Sequence, residues 1–117
     1  MARRRQDNDQ PLYLISVVSK MLEVHPQTLR MYEREGFVTP HRVNRQRLYS
    51  ERDVQRLNLV IELTKELGVN KAGVDIILRM RTRLEVMQQE MSEMMRHLDT
   101  RMQQEFERRI RTLFGEE

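Results

Sequence analysis

The chain has 117 residues, of which 38% are hydrophobic and 33% are charged, and this size suits one small domain with an extension. It contains no cysteine, which excludes disulfide bonds, thiolate metal sites and thiol nucleophiles. The formal net charge is +3. The sequence has neither an apolar run long enough to span a membrane nor a signal peptide, so a cytoplasmic protein without membrane partners is expected.

The positive charge is concentrated in the amino-terminal half. Residues 1–56 hold eleven Lys and Arg against seven Asp and Glu, whereas the rest of the chain holds ten against eleven. Clustered cations supply the sequence-independent, salt-sensitive part of nucleic-acid affinity, so this half is the candidate nucleic-acid binder. Residues 1–11, with three consecutive arginines, are predicted to be a disordered basic arm that is either a solvated tail or a DNA-backbone contact.

A first short helix is predicted to begin with Ser16 as its cap and to end near Leu22. Val18, Met21 and Leu22 follow helical spacing and form its predicted apolar face. The next two residues then make a tight turn into a second helix.

Pro26 suits the first position of that second helix, where a missing N–H leaves no hydrogen bond unmade. Leu29 and Tyr32 are three residues apart and are predicted to pack inward, while Gly36 ends the helix as a left-handed cap with Phe37 folded back over its last turn. Two helices joined by a tight turn can place the second in the major groove, where amide and guanidinium groups contact bases or phosphates. The outward side chains predicted for this role are Gln27, Thr28, Arg30 and Arg34.

An Arg-rich hairpin, or wing, is predicted from Arg42 to Tyr49. It has too few apolar positions to be stable by its own burial, so Leu48 and part of Tyr49 are expected to anchor it to the core. The wing favours DNA binding over the alternative in which the arginines of the second helix only form a solvated surface paired with neighbouring glutamates. The wing residues predicted to contact phosphates are Arg42, Arg45 and Arg47.

Two further helices are predicted to complete the core. Ser50 and Asp53 have the spacing of a capping box, and the helix that they begin is expected to end at Gly68. Asn70 can cap the next helix. Val74 and its helical neighbours are then expected to face inward.

Three motifs occur in a characteristic order: Ile15 in the first helix, Thr28-Leu29-Arg30-Met31-Tyr32-Glu33-Arg34-Glu35-Gly36 in the second, and Arg47-Leu48-Tyr49-Ser50 after the wing. Over residues 13–80 the chain therefore resembles the MerR family of winged helix-turn-helix transcriptional regulators. The resemblance implies that Arg30 and Tyr32 contact DNA from the recognition helix and that Arg47 does so from the wing, with Tyr49 in support. Gln27 and Thr28 are the candidates for base recognition.

Three positions depart from the family pattern. Glu23 stands where the helix-turn-helix usually has glycine, and a left-handed conformation there costs a residue other than glycine roughly 1 kcal/mol. Met31 replaces a common aromatic residue, and the wing tip lacks its usual glycine.

Within the family, Tyr13-Leu14-Ile15-Ser16-Val17 and Gly68-Val69-Asn70 are most similar to the repressors of bacterial heat-shock chaperone operons. This resemblance implies a homodimer on an inverted repeat of double-stranded DNA upstream of chaperone genes. It also implies the chaperone DnaK as co-repressor. An activator that distorts the promoter is an alternative, because activation or repression depends on where the DNA site lies.

The carboxy-terminal part has apolar residues at alternating steps of three and four, which is the pattern of a coiled coil. No proline occurs after Asn70, so one long unbroken helix is predicted. After Leu98 the pattern changes to steps of four, as in a stutter. A second copy of the chain is the expected partner of this helix. The alternative is that the helix packs back onto residues 12–81 of its own chain. The predicted dimerisation residues are Leu84, Met87, Met91, Met94, Leu98, Met102 and Phe106.

The predicted fold class is thus mainly α, with a winged helix-turn-helix head at residues 12–81 and a coiled-coil dimerisation helix with a short tail at residues 82–117. No metal or other cofactor is expected, because the three histidines are scattered and no thiol is present. An enzyme is not expected either, since the chain has no Gly-rich phosphate loop and no paired nucleophile and base. A coiled-coil adaptor that recruits a chaperone or protease is the rival from another functional class.

Overall fold

The computed structural model describes residues 8–115. Its elements are, in chain order, β1 (Pro11–Leu14), α1 (Ile15–Leu22), α2 (Pro26–Arg34), β2 (His41–Val43), β3 (Gln46–Ser50), α3 (Glu51–Ile61), a π-helical turn (Glu62–Glu66), α4 (Lys71–Met95) and α5 (Thr100–Leu113). The mainly α fold class predicted from the sequence is confirmed. None of these helices, within the part of the chain that is described, is long and apolar enough to cross a membrane.

The wing belongs to a three-stranded antiparallel sheet with the order β1-β3-β2. Strand β1 was not predicted: Pro11 was placed in the disordered arm, most of which lies outside the described residues. The strand pairs with β3 from Pro11 opposite Ser50 to Leu14 opposite Leu48. Its Tyr13 hydroxyl also donates a hydrogen bond of 2.9 Å to a Glu51 carboxylate oxygen, which ties the strand to α3.

Helix α1 begins two residues earlier than predicted and without a side-chain cap. Leu14 is its N-cap residue and makes no side-chain capping bond, so the prediction of a Ser16 cap is wrong. The chain enters the helix directly from β1, and this leaves Ser16 already inside the first turn. Val18 is fully buried as predicted, whereas Met21 is exposed.

The predicted beginning and end of α2 are confirmed. Pro26 is its first residue, and the His25 Nδ1 atom accepts a hydrogen bond of 3.0 Å from the Gln27 N–H. At the other end Gly36 has φ +84°, and the Phe37 N–H donates to the Tyr32 carbonyl at 2.9 Å. This is the Schellman arrangement, which needs the left-handed conformation that glycine adopts without strain.

The predicted caps of the following helices are also present. Ser50 and Asp53 form a reciprocal capping box at the start of α3. The Asn70 side chain accepts from the Gly73 N–H at 2.9 Å at the start of α4. These elements enclose a core beneath the sheet and α2. Its fully buried side chains include Val18, Leu29, Tyr49, Leu57, Val60 and Val74.

The chain divides into two compact units, with the boundary in the sequence between Leu78 and Arg79. Within the second unit the prediction of one unbroken helix is wrong, because α4 ends at Met95 and α5 begins at Thr100. Asp99 caps α5 by accepting the Met102 N–H at 2.9 Å. The Gln103 amide donates to the carbonyls of Met95 at 2.7 Å and Leu98 at 3.0 Å. These bonds satisfy backbone groups at both helix ends, so the break needs neither proline nor glycine.

Candidate nucleic-acid interface

The turn between α1 and α2 depends on a strained residue. Glu23 has φ 56° and ψ 45°, which is the left-handed conformation predicted for this position of the turn. The next residue, Val24, donates its N–H to the Ser19 carbonyl at 3.0 Å, and Ser19 is itself buried. The tight turn is therefore formed despite the local cost of a side chain at this position.

We expect Glu23→Gly to raise the free energy of unfolding by about 0.5 to 1 kcal/mol. Glycine relieves the left-handed strain, although its greater freedom in the unfolded chain offsets part of the gain. Urea unfolding followed by circular dichroism measures the change. Glu23→Ala is the matched control, since it removes the charge but keeps the Cβ atom; an equal gain from Ala would show that strain is not the cause.

Helix α2 presents its polar side chains away from the core. Gln27 and Arg34 are exposed, and Thr28 and Arg30 are half-buried. The Arg30 Nη1 atom donates to the Gln27 amide oxygen at 3.2 Å, so these two predicted DNA contacts lie together on one turn of the helix. An amide beside a guanidinium near the start of a helix can hydrogen-bond base edges or phosphates.

Tyr32 faces the opposite way. Its side chain is only 2% exposed, and its hydroxyl lies 3.2 Å from the Thr64 hydroxyl. Because Thr64 donates its proton to the Val60 carbonyl at 2.8 Å, the tyrosine is the donor in this pair. The assignment of Tyr32 as a DNA contact is therefore corrected: the residue packs the recognition helix onto α3 and the π-helical turn.

The wing has a two-residue tip. Strands β2 and β3 pair from His41 opposite Leu48 to Val43 opposite Gln46, and only Asn44 and Arg45 lie between them. Both tip residues have positive φ, 50° and 68°, as the tightest hairpin turn requires. Asparagine tolerates this conformation, whereas Arg45 adopts it at a cost of about 1 kcal/mol. The strained turn holds an exposed arginine at the outermost point of the wing.

Glu33 joins the wing to the recognition helix. The Arg47 Nε atom lies 2.5 Å from Glu33 Oε1, and an Arg42 terminal nitrogen lies 3.3 Å from Glu33 Oε2. Burial acts to raise the pKa of Glu33, but the hydrogen bonds and charges of the two arginines outweigh it and hold that pKa below its ordinary value. The stabilisation is therefore present above the ordinary carboxyl pKa and is lost only as the pH falls through the lowered one, so the bridge is intact at neutral pH.

Tyr49 is the main anchor of the wing, in place of the half-buried Leu48. Its side chain is fully buried, and its hydroxyl has no hydrogen-bond partner among the described residues. Burial raises the pKa of Tyr49, so the hydroxyl stays protonated at neutral pH. The resemblance implied that Tyr49 supports Arg47 at the DNA, and this is corrected: its buried ring supports the wing from within the core and cannot itself contact DNA.

We expect Tyr49→Phe to leave DNA binding unchanged and to raise the free energy of unfolding by about 1 kcal/mol. The change keeps the buried ring and removes an oxygen whose desolvation is not repaid by a hydrogen bond. Tyr13→Phe is the matched control, since its hydroxyl is bonded to Glu51 and its loss should destabilise the protein. If Tyr49→Phe lowered DNA affinity and Tyr13→Phe did not, Tyr49 would be part of the DNA-binding surface.

The predicted dimerisation residues lie on α4 and α5 and in the turn between them. Leu84, Met87, Met94 and Met102 are exposed in the single chain. Met91, Leu98 and Phe106 are half-buried. The change in apolar spacing after Leu98, which suggested a stutter, coincides with the end of α4 and the start of a separate helix.

Residues 13–81 match the MerR helix-turn-helix family of regulatory proteins over more than half of the chain. The chain belongs to the MerR family of transcriptional regulators.

Two curated relatives extend this finding. The chain is 39% identical over 92 residues to a Streptomyces coelicolor protein assigned as heat shock protein HspR, a match that covers 78% of this chain and 61% of that protein. It is 36% identical over 73 residues to the transcriptional regulator ZntR of Escherichia coli, covering 60% of this chain and 50% of that protein. The resemblance to HspR among MerR-family regulators is thus confirmed. The matched stretch spans less than two thirds of either relative.

Two residues of this MerR-family head make contacts that the sequence did not predict. Glu33 was considered only as a partner for arginines of its own helix, but it pairs with the wing. Arg56 of α3 donates from Nε to the Phe37 carbonyl at 2.5 Å and so holds the segment that follows the recognition helix. Its only sequence signal was a cation on a predicted core helix.

Within residues 8–115 no group of three or more histidine and acidic side chains is placed to hold a metal ion.

Proposed function

We propose that this MerR-family regulator is a sequence-specific DNA-binding repressor that binds an inverted repeat as a homodimer. One observation carries the proposal: Gln27 and Arg30 lie on one turn of the recognition helix beside a wing whose tip exposes Arg45. The helix offers groups that can discriminate base edges, and the wing offers charge for phosphates. Arg34 and Thr28 extend the same helix surface.

The homodimer is supported by the exposed apolar residues of α4. Leu84, Met87 and Met94 are large side chains that gain stability when another surface covers them. A second copy offers an identical stripe, and a two-fold dimer places two recognition helices on two half-sites. The dimer in turn explains why an inverted repeat is the expected DNA partner.

Control of chaperone genes is proposed from the similarity to HspR, with DnaK as co-repressor and the bacterial cytoplasm as the place of action. Two other roles are distinguished by experiment. An activator would occupy the same DNA but raise transcription, and an adaptor would keep its protein partner when its DNA-binding residues are replaced.

The first test is fluorescence-anisotropy binding to the promoter fragment of the chaperone operon from the same genome, at about 0.15 M salt. A scrambled fragment of equal length is the control, and each titration is repeated with DnaK. We expect a preference for the promoter that DnaK strengthens. Equal binding to both fragments would refute the proposal that the protein is a sequence-specific regulator of that operon. If DnaK did not change the affinity, the proposal that DnaK is the co-repressor would be wrong. In vitro transcription from the same fragment then separates repression from activation.

A further inference from the structure

The carboxylate of Glu33 contacts two arginines of another element, the wing. Arg42 and Arg47 are directly opposite each other in the β2–β3 register, so their side chains leave the same face of the hairpin. That face meets α2 at Glu33. The Glu33 and Arg47 side chains are 23% and 24% exposed, whereas Arg42 is 52% exposed.

This arrangement has both a geometric and an electrostatic effect. The short pair with Arg47 fixes the guanidinium group against the recognition helix, and the partial burial of both groups limits screening by salt. The pair with Arg42 is longer and more exposed, so it contributes less to fixing the wing against the recognition helix. The three groups together carry a charge of +1, whereas the two arginines alone would carry +2.

We propose that Glu33 is a positioning residue that increases discrimination between DNA sequences without contacting a base. It holds the wing arginines in one orientation relative to the recognition helix and cancels part of their charge. This inference rests on the proposed DNA-binding function.

The two effects act differently on specific and non-specific binding. Non-specific affinity depends on the number of phosphates neutralised, and mobile arginines can neutralise them in many geometries. A specific complex needs phosphate contacts that fix the register of the protein on the duplex. Glu33 therefore lowers non-specific affinity by cancelling positive charge, and it supports the specific complex by fixing the position of Arg47.

The test is Glu33→Gln, which keeps the shape of the side chain and removes its charge. On a scrambled duplex we expect the slope of log affinity against log salt to steepen by about 0.9, the value for one additional phosphate. The loss of affinity between 50 and 200 mM salt then grows by about 3.5-fold. Scrambled-duplex affinity rises at low salt, and the ratio of promoter to scrambled affinity falls.

Glu35→Gln is the matched control. It makes the same change of charge at the end of the same helix, but the Glu35 carboxylate lies 3.5 Å from Lys71 of α4 instead of contacting the wing. We expect its salt slope to equal that of the wild type. Thermal unfolding of both variants checks that each is folded at the assay temperature.

A second comparison tests whether Glu33 acts through Arg47. In an Arg47→Gln background, the further change Glu33→Gln should steepen the slope of log affinity against log salt. The change in slope should be clearly smaller than the one Glu33→Gln causes in the wild-type protein. An unchanged slope for Glu33→Gln in the wild-type background would overturn the inference, whatever happens to promoter affinity. Failure of the proposed function shows separately, as wild-type protein that does not prefer the promoter over the scrambled duplex.

Discussion

The Met87→Glu variant is expected to be a monomer and to bind an inverted-repeat duplex roughly 10²- to 10⁴-fold more weakly than the wild type, because linked binding to two half-sites is lost. Met87 is 59% exposed in the single chain, so the substitution leaves the fold of the protomer intact. In a two-fold dimer each copy would contribute one carboxylate to an apolar interface, and burying an unpaired charge is far more costly than losing a methionine contact. Analytical ultracentrifugation measures the oligomeric state.

Gln89→Glu is the control for that experiment. Residue 89 lies about 200° around α4 from residue 87, at 100° per residue, so the same charge is placed on the opposite side of the helix. We expect this variant to remain a dimer and to bind DNA normally. A dimeric Met87→Glu protein would show that α4 does not form the interface, and would favour the alternative in which the apolar stripe packs against the head.

The second large effect is expected for Arg30→Ala. Loss of one base-directed guanidinium should cost about 1 to 3 kcal/mol, or roughly 5- to 150-fold in promoter affinity, with a much smaller loss on scrambled DNA. Arg30 is half-buried beside Gln27 at 3.2 Å, and this restricts the geometry in which it can meet a base. Competition binding with promoter and scrambled duplexes measures the discrimination directly.

Arg45→Ala is the matched comparison for Arg30→Ala. Arg45 lies at the exposed tip of the wing with φ 68°, where a phosphate is the expected partner. Its replacement should weaken binding to both duplexes equally and reduce the salt slope by about 0.9. If Arg30→Ala also weakened both duplexes equally, Arg30 would be a phosphate contact and base recognition would have to lie with Gln27 and Thr28.

Much of the head follows from local sequence. Pro26, Gly36 and the pair Ser50 and Asp53 each act within one turn of chain, through a missing N–H, a left-handed φ or a reciprocal cap. The left-handed Glu23 was likewise predictable, because the tight turn requires that conformation whichever residue occupies it. These interactions involve neighbouring residues and leave a signature that can be read in order along the chain.

Other features were missed because their partners are distant in sequence or because two local signals compete. Strand β1 exists only through its pairing with β3, more than 30 residues away, and its short sequence does not by itself predict a strand. The break after Met95 was hidden by a continuous helical apolar pattern, although Asp99 is an adequate cap. A polar side chain can end a helix where no proline or glycine does.

The sequence by itself thus determined the order of α1 to α4 and the wing, the turns at Glu23 and Gly36, and the polar surface of the recognition helix, since these depend on contacts between near neighbours. The order of its motifs also carried the resemblance to the MerR family. Only the tertiary structure decided which polar residues remain available to DNA. It buried Tyr32 and Tyr49 in the core and paired Arg42 and Arg47 with Glu33. The physical reason is that burial and ion pairing depend on how separate elements approach one another in space, which residue spacing along the chain does not encode.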